Sequence, residues 1–451
     1  MVEEISDVKP KIEQMYMMKR SQGEICTTIV KYLFDKYSFK TISGKKLKEI
    51  YVYDEGIFVE RGKDIIEYEC EKLLGVYAKT HIINEIRNKV ERLTMVERNE
   101  LQCSDNNLIC VNNGVLNLKK MKLHKHSPDY NFIAKLPINY DKDANCIKIL
   151  EFLAEVLHEE DILSVQEWFG FMLFREYFIK KAIIIRGLKD TGKTTFINLA
   201  IKFIGEDNIS TKPMQKLSEG KWQTAVLYKK HANIADDLTV DDVYNGGVFK
   251  QITGRSPIDG EVKFGDSFSF VNYAKLMFAC NKIPKIKNDI DDNAFWDRWM
   301  ILDFTNVFAS TDKDTNFNKL SDISNDNEMS GLLNWAIEGL VRLRKNGHFA
   351  YKRDWQTNKN IMQGESNNIA KFVYECCSYK GDVWIANIEL YDKYEEFCNL
   401  NDITKETEQK FFKDIRKCCN FAKFGIKNDN NKWGVKGLKI KDIIPVLDIT
   451  I

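Results

Sequence analysis

The stretch 182–195, AIIIRGLKDTGKTT, constrains the fold of this chain more than any other. Its isoleucines form an apolar run typical of a buried strand, and Gly187 is followed, after four intervening residues, by Gly192, Lys193 and Thr194. Glycines at this spacing let the backbone curl so that successive N–H groups point inward at phosphate oxygens. The run FINLAIKFIG comes next and predicts a helix whose positive amino end faces the same anion. The stretch therefore predicts a strand, a phosphate-binding loop and a helix.

This loop predicts a site for a nucleoside triphosphate and Mg²⁺. Lys193 would neutralise the β- and γ-phosphates, and Thr194 would place its hydroxyl on the metal ion. The residues expected to line the nucleotide are consecutive: Gly187, Leu188, Lys189, Asp190, Thr191, Gly192, Lys193, Thr194 and Thr195. A glycine-containing loop that matches by chance is the alternative, and the strand before it and the helix after it argue against chance.

Polar side chains end two later apolar runs. The run HANIADDL reaches Asp236 and Asp237, and AKLMFACN ends at Asn281. In P-loop NTPases, acids at the end of a neighbouring strand hold Mg²⁺ and polarise the attacking water. We assign Asp236 to the metal and Asp237 to the water, although paired acids at a strand end also serve as helix caps. Asn281 would reach the same edge of the sheet.

The segment DDNAFWDRWMILDF carries Arg298 just before a last predicted strand. A rigid, permanently charged guanidinium suits a neighbouring subunit that stabilises charge on the γ-phosphate. The alternative is a structural arginine paired with an acid such as Asp297. Upstream, residues 249–270 predict a helix end, a turn at Gly254 and a hairpin that carries Lys263 and Phe264.

Length and composition limit the class of protein. A chain of 451 residues exceeds the size of one hydrophobic core, so several domains are expected. The 11 cysteines contain no Cys-x-x-Cys couple and indicate reduced thiols rather than a zinc ribbon. No apolar run approaches the ~18 residues that span a bilayer, and no signal peptide opens the chain. We expect a soluble, cytoplasmic protein with no membrane partner.

The predicted fold class is multidomain α/β and α+β, with a P-loop ATPase core. Three helical patterns and two strands around an Asn-Asp-Asn-Asn turn predict a winged helix at the C-terminal end. The expected segments are a tail or short helix (1–24), an N-terminal α+β domain (25–140), a helical connector (141–178), the ATPase domain (179–350), a linker (351–365) and the winged helix (366–451).

The C-terminal segment is locally basic although the whole chain has a formal charge of only +1. Residues 405–441 contain eleven Lys or Arg against four Asp or Glu. This excess predicts phosphate contacts by Lys410, Lys413, Arg416 and Lys417. A solvated helix face, or a module that binds another protein, is the alternative.

The order of these motifs resembles the superfamily 3 helicases, and more narrowly the helicase part of phage, plasmid and poxvirus-type primase-helicases. The resemblance rests on GxxxxGKT, Asp-Asp, Lys250-x-x-Thr253-Gly254, the hairpin lysine, Asn281 and Arg298, and covers roughly residues 45 to 440. Two positions depart from the family pattern. Thr191 stands where Asn is common, and Ser256 stands where Asp is common.

The resemblance implies a hexameric AAA+ ring of a virus or mobile genetic element that uses ATP to move along one DNA strand. Lys193 and Thr194 would serve the P-loop, Asn281 would act as a sensor, and Arg298 would act in trans. Lys263, and less surely Phe264, would grip DNA, although a solvated hairpin lysine is the alternative. Expected partners are single-stranded and forked DNA, further copies of the chain, and a separate primase or initiator.

Two other functional classes stay open. A replication initiator or loader with little unwinding would share every motif. A small-molecule kinase or GTPase is disfavoured, because Asn281-Lys282-Ile283-Pro284 has Pro where the guanine-reading motif needs Asp. Because only about 50 residues precede the segments shared with the family, we expect no primer synthesis by this chain alone.

Overall fold

The computed structural model describes residues 5–44, 48–236, 238, 246–261, 267–281, 283, 293–308, 319–366, 368–401, 403–419, 422–428 and 430–441. It is a mixed α/β structure with several regions, one of which is built on a parallel sheet. The multidomain α/β and α+β expectation is confirmed at this level.

The N-terminal region combines four helices with a four-stranded sheet in the order β3-β2-β1-β4. Strands β1, β2 and β3 pair antiparallel, and β4 pairs parallel with β1. The turn between β2 and β3 places Glu55 and Gly56 at φ 44° and 102°, and positive φ values at both positions are typical of a two-residue hairpin turn. The elements are α1 (Ile5–Met17), α2 (Gln22–Lys36), β1 (Phe39–Ser43), β2 (Lys48–Asp54), β3 (Ile57–Val59), α3 (Gly62–Leu74), α4 (Thr80–Leu93) and β4 (Met95–Val96).

The first 24 residues include a helix that belongs to this region. Val8 and Ile12 of α1 are buried in the same core as the apolar faces of α2, α3 and α4. Residues four apart lie on one face of a helix, so this short pair is enough to dock α1.

A small antiparallel sheet and two helices connect the N-terminal region to the parallel sheet. The stretch LICVNNGVLNL forms a hairpin in which β5 and β6 pair antiparallel. The elements are β5 (Leu108–Val111), β6 (Gly114–Asn117), β7 (Lys122–His124), α5 (Ile147–Val156) and α6 (Glu159–Leu173).

The central sheet has the order β14-β8-β13-β10-β9, and all its pairs are parallel. Parallel strands bring their carboxyl ends to one edge of a sheet, where ligands of such folds bind. The elements of this region are β8 (Ala182–Gly187), α7 (Lys193–Ile204), β9 (Ile209–Ser210), α8 (Met214–Leu217), α9 (Lys221–Thr224), β10 (Ala232–Ala235), α10 (Gly246–Ile252), β11 (Pro257–Glu261), β12 (Ser267–Val271), β13 (Lys275–Cys280), α11 (Asn293–Trp296), β14 (Trp299–Phe304), α12 (Lys319–Ile323) and α13 (Asp326–Asn346).

The apolar run of β8 is explained by burial on both faces of the sheet. Ile183 and Ile185 face a core that also contains apolar residues of α5, α6, α7 and α13. Ile184 faces a second core with residues of α10, α11 and the β11–β12 hairpin. Successive side chains of a strand alternate between faces, so a strand covered on both sides reads as a continuous apolar run.

The C-terminal region holds a three-stranded antiparallel sheet in the order β15-β17-β16. The three predicted helices and the two predicted strands are present, and β15 is an additional strand. Its middle residues are exposed, so it lacks the apolar alternation that would reveal it. The elements are α14 (Trp355–Ser366), α15 (Asn368–Cys376), β15 (Cys377–Ala386), α16 (Asn387–Leu400), α17 (Glu408–Cys418), β16 (Lys423–Lys427) and β17 (Trp433–Ile440).

The segment 351–365, for which the sequence suggests a linker, contains most of α14. Met362 of this helix is buried in the core beneath the central sheet. Throughout the described ranges, no helix combines the length and the apolar character needed to cross a membrane.

Candidate nucleotide site and nucleic-acid interface

The loop between β8 and α7 has the geometry of a phosphate-binding curl. Asp190 and Gly192 take left-handed backbone conformations, with φ 62° and 85°. A Cβ on Gly187 would lie 2.5 Å from the carbonyl oxygen of Phe304, and one on Gly192 would lie 2.7 Å from Val156 Cγ1. Packing therefore requires glycine at both positions, and the left-handed backbone favours it at Gly192 as well.

Lys193 begins α7 and folds its ammonium back into this curl. Its Nζ donates a 2.6 Å hydrogen bond to the carbonyl of Gly187 and another bond to that of Leu188, and lies 3.4 Å from Thr191 Oγ1. Partial burial lowers the pKa of Lys193. The charge is thus held where the loop N–H groups and the amino end of α7 converge, which is where a phosphate would bind.

The remaining loop residues differ in their exposure to solvent. Thr191 is 2% exposed, and its hydroxyl donates a 3.0 Å hydrogen bond to the carbonyl of Leu188. The residue that departs from the family pattern therefore stabilises the loop from inside. Thr195 is half-buried, while Leu188, Lys189, Asp190 and Thr194 are exposed.

Asp236 and Asn281 reach the same edge of the sheet as the loop. Asp236 directly follows β10, Asn281 directly follows β13, and both are exposed. Strand β13 lies between β8 and β10, and its Cys280 pairs with Arg186 of β8, so Asn281 stands level with Gly187. Asp237 lies outside the described residues. Within them, no group of three or more His, Cys, Asp or Glu side chains is arranged to hold a metal ion.

A charged brace that the sequence analysis missed lies beside the loop. Arg186 Nε donates a 2.6 Å hydrogen bond to Asp303 Oδ1, and Arg353 NH1 donates a 2.7 Å bond to Asp303 Oδ2. Arg186 and Asp303 are cross-strand partners on β8 and β14. In the sequence, Arg186 and Asp303 carry opposite charges near the ends of the apolar runs that form β8 and β14. This pattern is the signal that could have revealed the ion pair. The brace ties the residue before Gly187 to the segment after α13.

Arg298 lies at the opposite, amino edge of the sheet. Its carbonyl accepts a 2.7 Å hydrogen bond from the N–H of Ala182, the first residue of β8. Its side chain is 8% exposed, and its Nε donates a 3.0 Å hydrogen bond to Thr253 Oγ1. A second guanidinium nitrogen donates to the carbonyl of Ala294. Asp297 is the acid that the sequence offers as an alternative partner of Arg298. Its carboxylate lies 3.2 Å from Lys181 Nζ instead.

Arg298 shares a hollow of about 480 Å³ with three further cations. Arg255 pairs with Glu176 at 3.0 Å. Ser256, the second departure from the family pattern, also lines the hollow and adds no negative charge to it. The hollow is lined by Tyr177, Phe178, Lys180, Lys250, Gly254, Arg255, Ser256 and Arg298. Its composition suits an anion.

The predicted DNA contacts lie in two places. The hairpin is formed by β11 and β12, and Lys263 and Phe264 between them lie outside the described residues. On α17, Lys410 pairs with Glu406 at 2.7 Å, whereas Lys413 and Arg416 are exposed. The side chain of Lys417 lies outside the described set.

Two family models match the chain in separate parts. Residues 30–158 match the model described as "D5 N terminal like", and residues 185–298 match a model described as "Family of unknown function (DUF5906)". The second match contains the phosphate loop, Asp236, Asn281 and Arg298. Neither match spans half of the chain.

A curated relative is the protein "Putative helicase 184R" of Invertebrate iridescent virus 6. It is 25% identical over 236 residues, which are 47% of this chain and 24% of the viral protein. The match thus spans about a quarter of the viral protein's length.

A solved structure shares the fold over almost the whole chain. The apo structure of the NrS-1 C-terminal region (305–718) superposes with a TM-score of 0.51 at 12% identity, covering 91% of this chain and 98% of that chain. At this identity the likeness establishes the fold alone. The likeness to D5-type proteins thus rests on the match of residues 30–158, and the narrower likeness to superfamily 3 rests on the order of the motifs.

Proposed function

We propose that this chain is an ATP-dependent replicative DNA helicase of a virus or mobile genetic element, which works as a hexameric ring on single-stranded DNA. One observation carries the proposal. The phosphate loop and the arginine expected to complete its site lie at opposite edges of the same parallel sheet.

The separation between the two edges is too large for one chain to bridge. Strand β8 runs from Ala182, whose N–H bonds to Arg298, to Gly187 at the start of the loop. Six strand residues at ~3.3 Å each separate the edges by about 20 Å. A nucleotide in the loop can therefore meet Arg298 only if a neighbouring subunit supplies it. A head-to-tail contact of this kind closes into a ring when its rotation allows.

The hollow around Arg298 supports this arrangement. Lys180 and Lys250 line the hollow together with the guanidinium, and like charges held together are stabilised when an anion binds among them. The γ-phosphate of a neighbour's nucleotide is such an anion. The hydrogen bond from Arg298 Nε to Thr253 Oγ1 fixes the direction of the guanidinium before the nucleotide binds.

The residues at the carboxyl edge fit ATP and Mg²⁺. The left-handed residues Asp190 and Gly192 and the amino end of α7 make a cradle that a Cβ at Gly187 or Gly192 would fill. Lys193 would bind the β- and γ-phosphates, Thr194 and Asp236 would hold the metal ion, Asp237 would polarise the attacking water, and Asn281 would act as the sensor. The metal ion, when bound, neutralises charge that develops on the phosphates.

Hydrolysis would be coupled to DNA through the β11–β12 hairpin. The hairpin packs on the same core as α10 and α11, and Thr253 and Arg298 come just after these two helices. A change at the trans arginine can therefore reach the β11–β12 hairpin, on which we place the DNA-gripping Lys263 and Phe264. The basic residues Lys410, Lys413, Arg416 and Lys417 would add contacts to DNA outside the ring, and a separate primase or initiator would supply the other replication steps.

The test is unwinding of a labelled fork by the full chain with ATP. The proposal predicts strand separation that Lys263→Ala abolishes while basal ATPase remains. The second candidate is an initiator or loader ATPase, which shares the same motifs. ATP hydrolysis with DNA binding but no strand separation on any fork polarity would favour that candidate and contradict the helicase.

A further inference from the structure

An arginine of the N-terminal region reaches the β11–β12 hairpin of the central region. Arg98 lies two residues after β4, and its guanidinium carbon is 5.1 Å from the ring centre of Phe268 on β12. The same carbon is 5.8 Å from the ring centre of Tyr228, in the turn before β10. Both distances are within the range at which a guanidinium is attracted to an aromatic ring. Arg98 therefore joins the N-terminal region to one strand of the hairpin.

The edge of this guanidinium is held by strand β2. Arg98 Nη1 donates a 3.2 Å hydrogen bond to Glu49 Oε2, and Nη2 donates to Glu49 Oε1. The hydroxyl of Tyr51 donates a further 3.0 Å bond to Glu49 Oε2. A bidentate pair of this kind fixes the plane of a guanidinium and leaves its flat face free to stack on aromatic rings. The N-terminal region thus sets the orientation of Arg98.

The hairpin presents an aromatic pair to this arginine. Phe268 and Phe270 are two residues apart on β12 and so share one face of the strand, and their ring centres lie 4.9 and 5.3 Å from that of Tyr228. Phe270 is buried in the core beneath the central sheet, whereas Phe268 is half-buried. Opposite Phe268 stands Gly260, where a Cβ would lie only 3.1 Å from the Phe268 ring. Phe270 anchors the strand, and Phe268 remains accessible to Arg98.

The contact borders a cleft rather than a continuous core. A cleft of about 1350 Å³ lies between the N-terminal and central regions, and Glu49, Arg98, Tyr228 and Phe268 are among the residues that line it. Side chains inside a close-packed core cannot move without leaving voids, whereas a contact at the wall of a cleft has space beside it. The link between Arg98 and the hairpin can therefore break and form again without opening a core.

We propose that Arg98 is a positioning residue that ties the DNA-gripping hairpin to the N-terminal region. The inference rests on the proposed function, in which hydrolysis moves this hairpin. A hairpin supported at β12 passes that movement on to DNA, whereas an unsupported one yields to the load. The N-terminal region then serves as the support of the hairpin. Hydrolysis depends on the phosphate loop and on Arg298, so it should continue when Arg98 is lost.

The first test is hydrogen exchange in the full chain without nucleotide or DNA. Arg98→Ala is expected to speed exchange of the β12 amides about five-fold, the equivalent of ~1 kcal/mol of lost ring contacts. Arg98→Lys keeps a cation over the rings and should restore most of the protection. Arg20→Ala is the control, because it removes an exposed arginine of the same region that pairs with Glu24 at 3.8 Å, and it should leave β12 unchanged.

The second test compares the base pairs separated with the ATP consumed on a labelled fork. Arg98→Ala should lower this ratio by about the same factor while basal ATPase and the KM for ATP stay at parental values. Phe268→Leu keeps an apolar side chain but removes the ring, so it should cause a similar loss. If Arg98 acts through Phe268, the double variant should lose no more than the more severe single variant.

Three results would overturn the inference. One is parental exchange of the β12 amides in Arg98→Ala. The second is an equal fall of ATPase and unwinding in Arg98→Ala, since that indicates a general defect of the fold. The third is a double variant in which the two single losses multiply. A parent that hydrolyses ATP without unwinding the fork contradicts the proposed function, while the exchange experiment still decides whether Arg98 holds the hairpin.

Discussion

The two edges of the central sheet differ in how they hold their charged residues. At the carboxyl edge, Asp236, Asn281 and Thr194 are exposed, and the loop is open to solvent. At the amino edge, Arg298 is 8% exposed and its partner Thr253 is fully buried. An open edge allows a ligand to enter and leave, whereas a fixed arginine acts with little reorganisation. The contrast fits the proposal that the first edge binds the nucleotide and the second completes the site of a neighbour.

The largest effect is expected from Lys193→Ala at the open edge. This variant removes the ammonium inside the loop curl, so ATP binding and hydrolysis should fall to background. Steady-state ATPase and nucleotide titration measure both. Lys216→Ala, which removes an exposed lysine paired with Glu219, is the control. Hydrolysis at the parental rate by Lys193→Ala would remove the loop from the site.

Arg298→Ala at the fixed edge should break hydrolysis without breaking binding. Because an arginine that acts in trans touches the γ-phosphate mainly in the transition state, kcat should fall by about 10³-fold or more while ATP affinity changes little. Arg61→Ala, an exposed arginine paired with Asp54, is the control. An ATP affinity that falls as much as kcat would place Arg298 in ordinary binding rather than in catalysis.

Thr253→Val tests whether Arg298 must be held in place. The substitution keeps the shape but removes the oxygen that accepts the 3.0 Å bond from Arg298 Nε. We expect kcat to fall about ten-fold, the equivalent of ~1.4 kcal/mol, with KM almost unchanged. Thr253→Ser keeps the hydroxyl and should recover most of the rate. A loss of the same size in both variants would indicate a packing defect.

Lys229 also lies near the amino edge of the sheet, but no hydrogen bond holds its ammonium among the described residues. It lies in the turn before β10, its Nζ has no hydrogen-bond acceptor among the described residues, and it lies 5.3 and 5.0 Å from the ring centres of Tyr51 and Tyr228. Burial, with Arg98 nearby, lowers the pKa of Lys229 to about 8, against the opposing effect of Glu49 and Glu60.

Lys229→Met should therefore stabilise the fold, which is the smallest effect predicted. Below pH 8 the folded chain carries a buried ammonium that the unfolded chain leaves in water, at a cost of about 3 kcal/mol. Between pH 8 and the unfolded value of 10.5 the unfolded chain binds more protons, so this cost disappears as pH rises. Thermal unfolding should show a higher Tm for Lys229→Met at pH 7 and a smaller difference at pH 9.5. A lower Tm at pH 7 would show that the aromatic contacts outweigh burial.

The open edge was largely predictable from sequence, because it depends on local patterns. Glycine spacing identifies the loop, and strands buried on both faces read as apolar runs that end at Asp236 and Asn281. The fixed edge was only partly predictable. The sequence identifies Arg298, but its bond to Thr253 joins residues 45 positions apart and depends on how α10 packs against α11.

The C-terminal region shows the same limit of prediction from sequence. The basic excess of residues 405–441 is visible in the sequence, while the pairing of Lys423 with Lys436 and of Lys427 with Trp433 depends on the register of β16 and β17. Strand β15 was missed because its exposed residues carry no periodic apolar signal. Tertiary pairing, rather than composition, decides which charges meet.

The most direct test of the account mixes the two inactive variants Lys193→Ala and Arg298→Ala in one assay. If each site takes its loop from one subunit and its arginine from the next, about a quarter of random interfaces combine an intact loop with an intact arginine. The account predicts ATPase activity in the mixture well above that of either variant alone, with a maximum near equal proportions. Background activity at every ratio, with mixed assembly verified by differently tagged subunits, would contradict a site shared between neighbours.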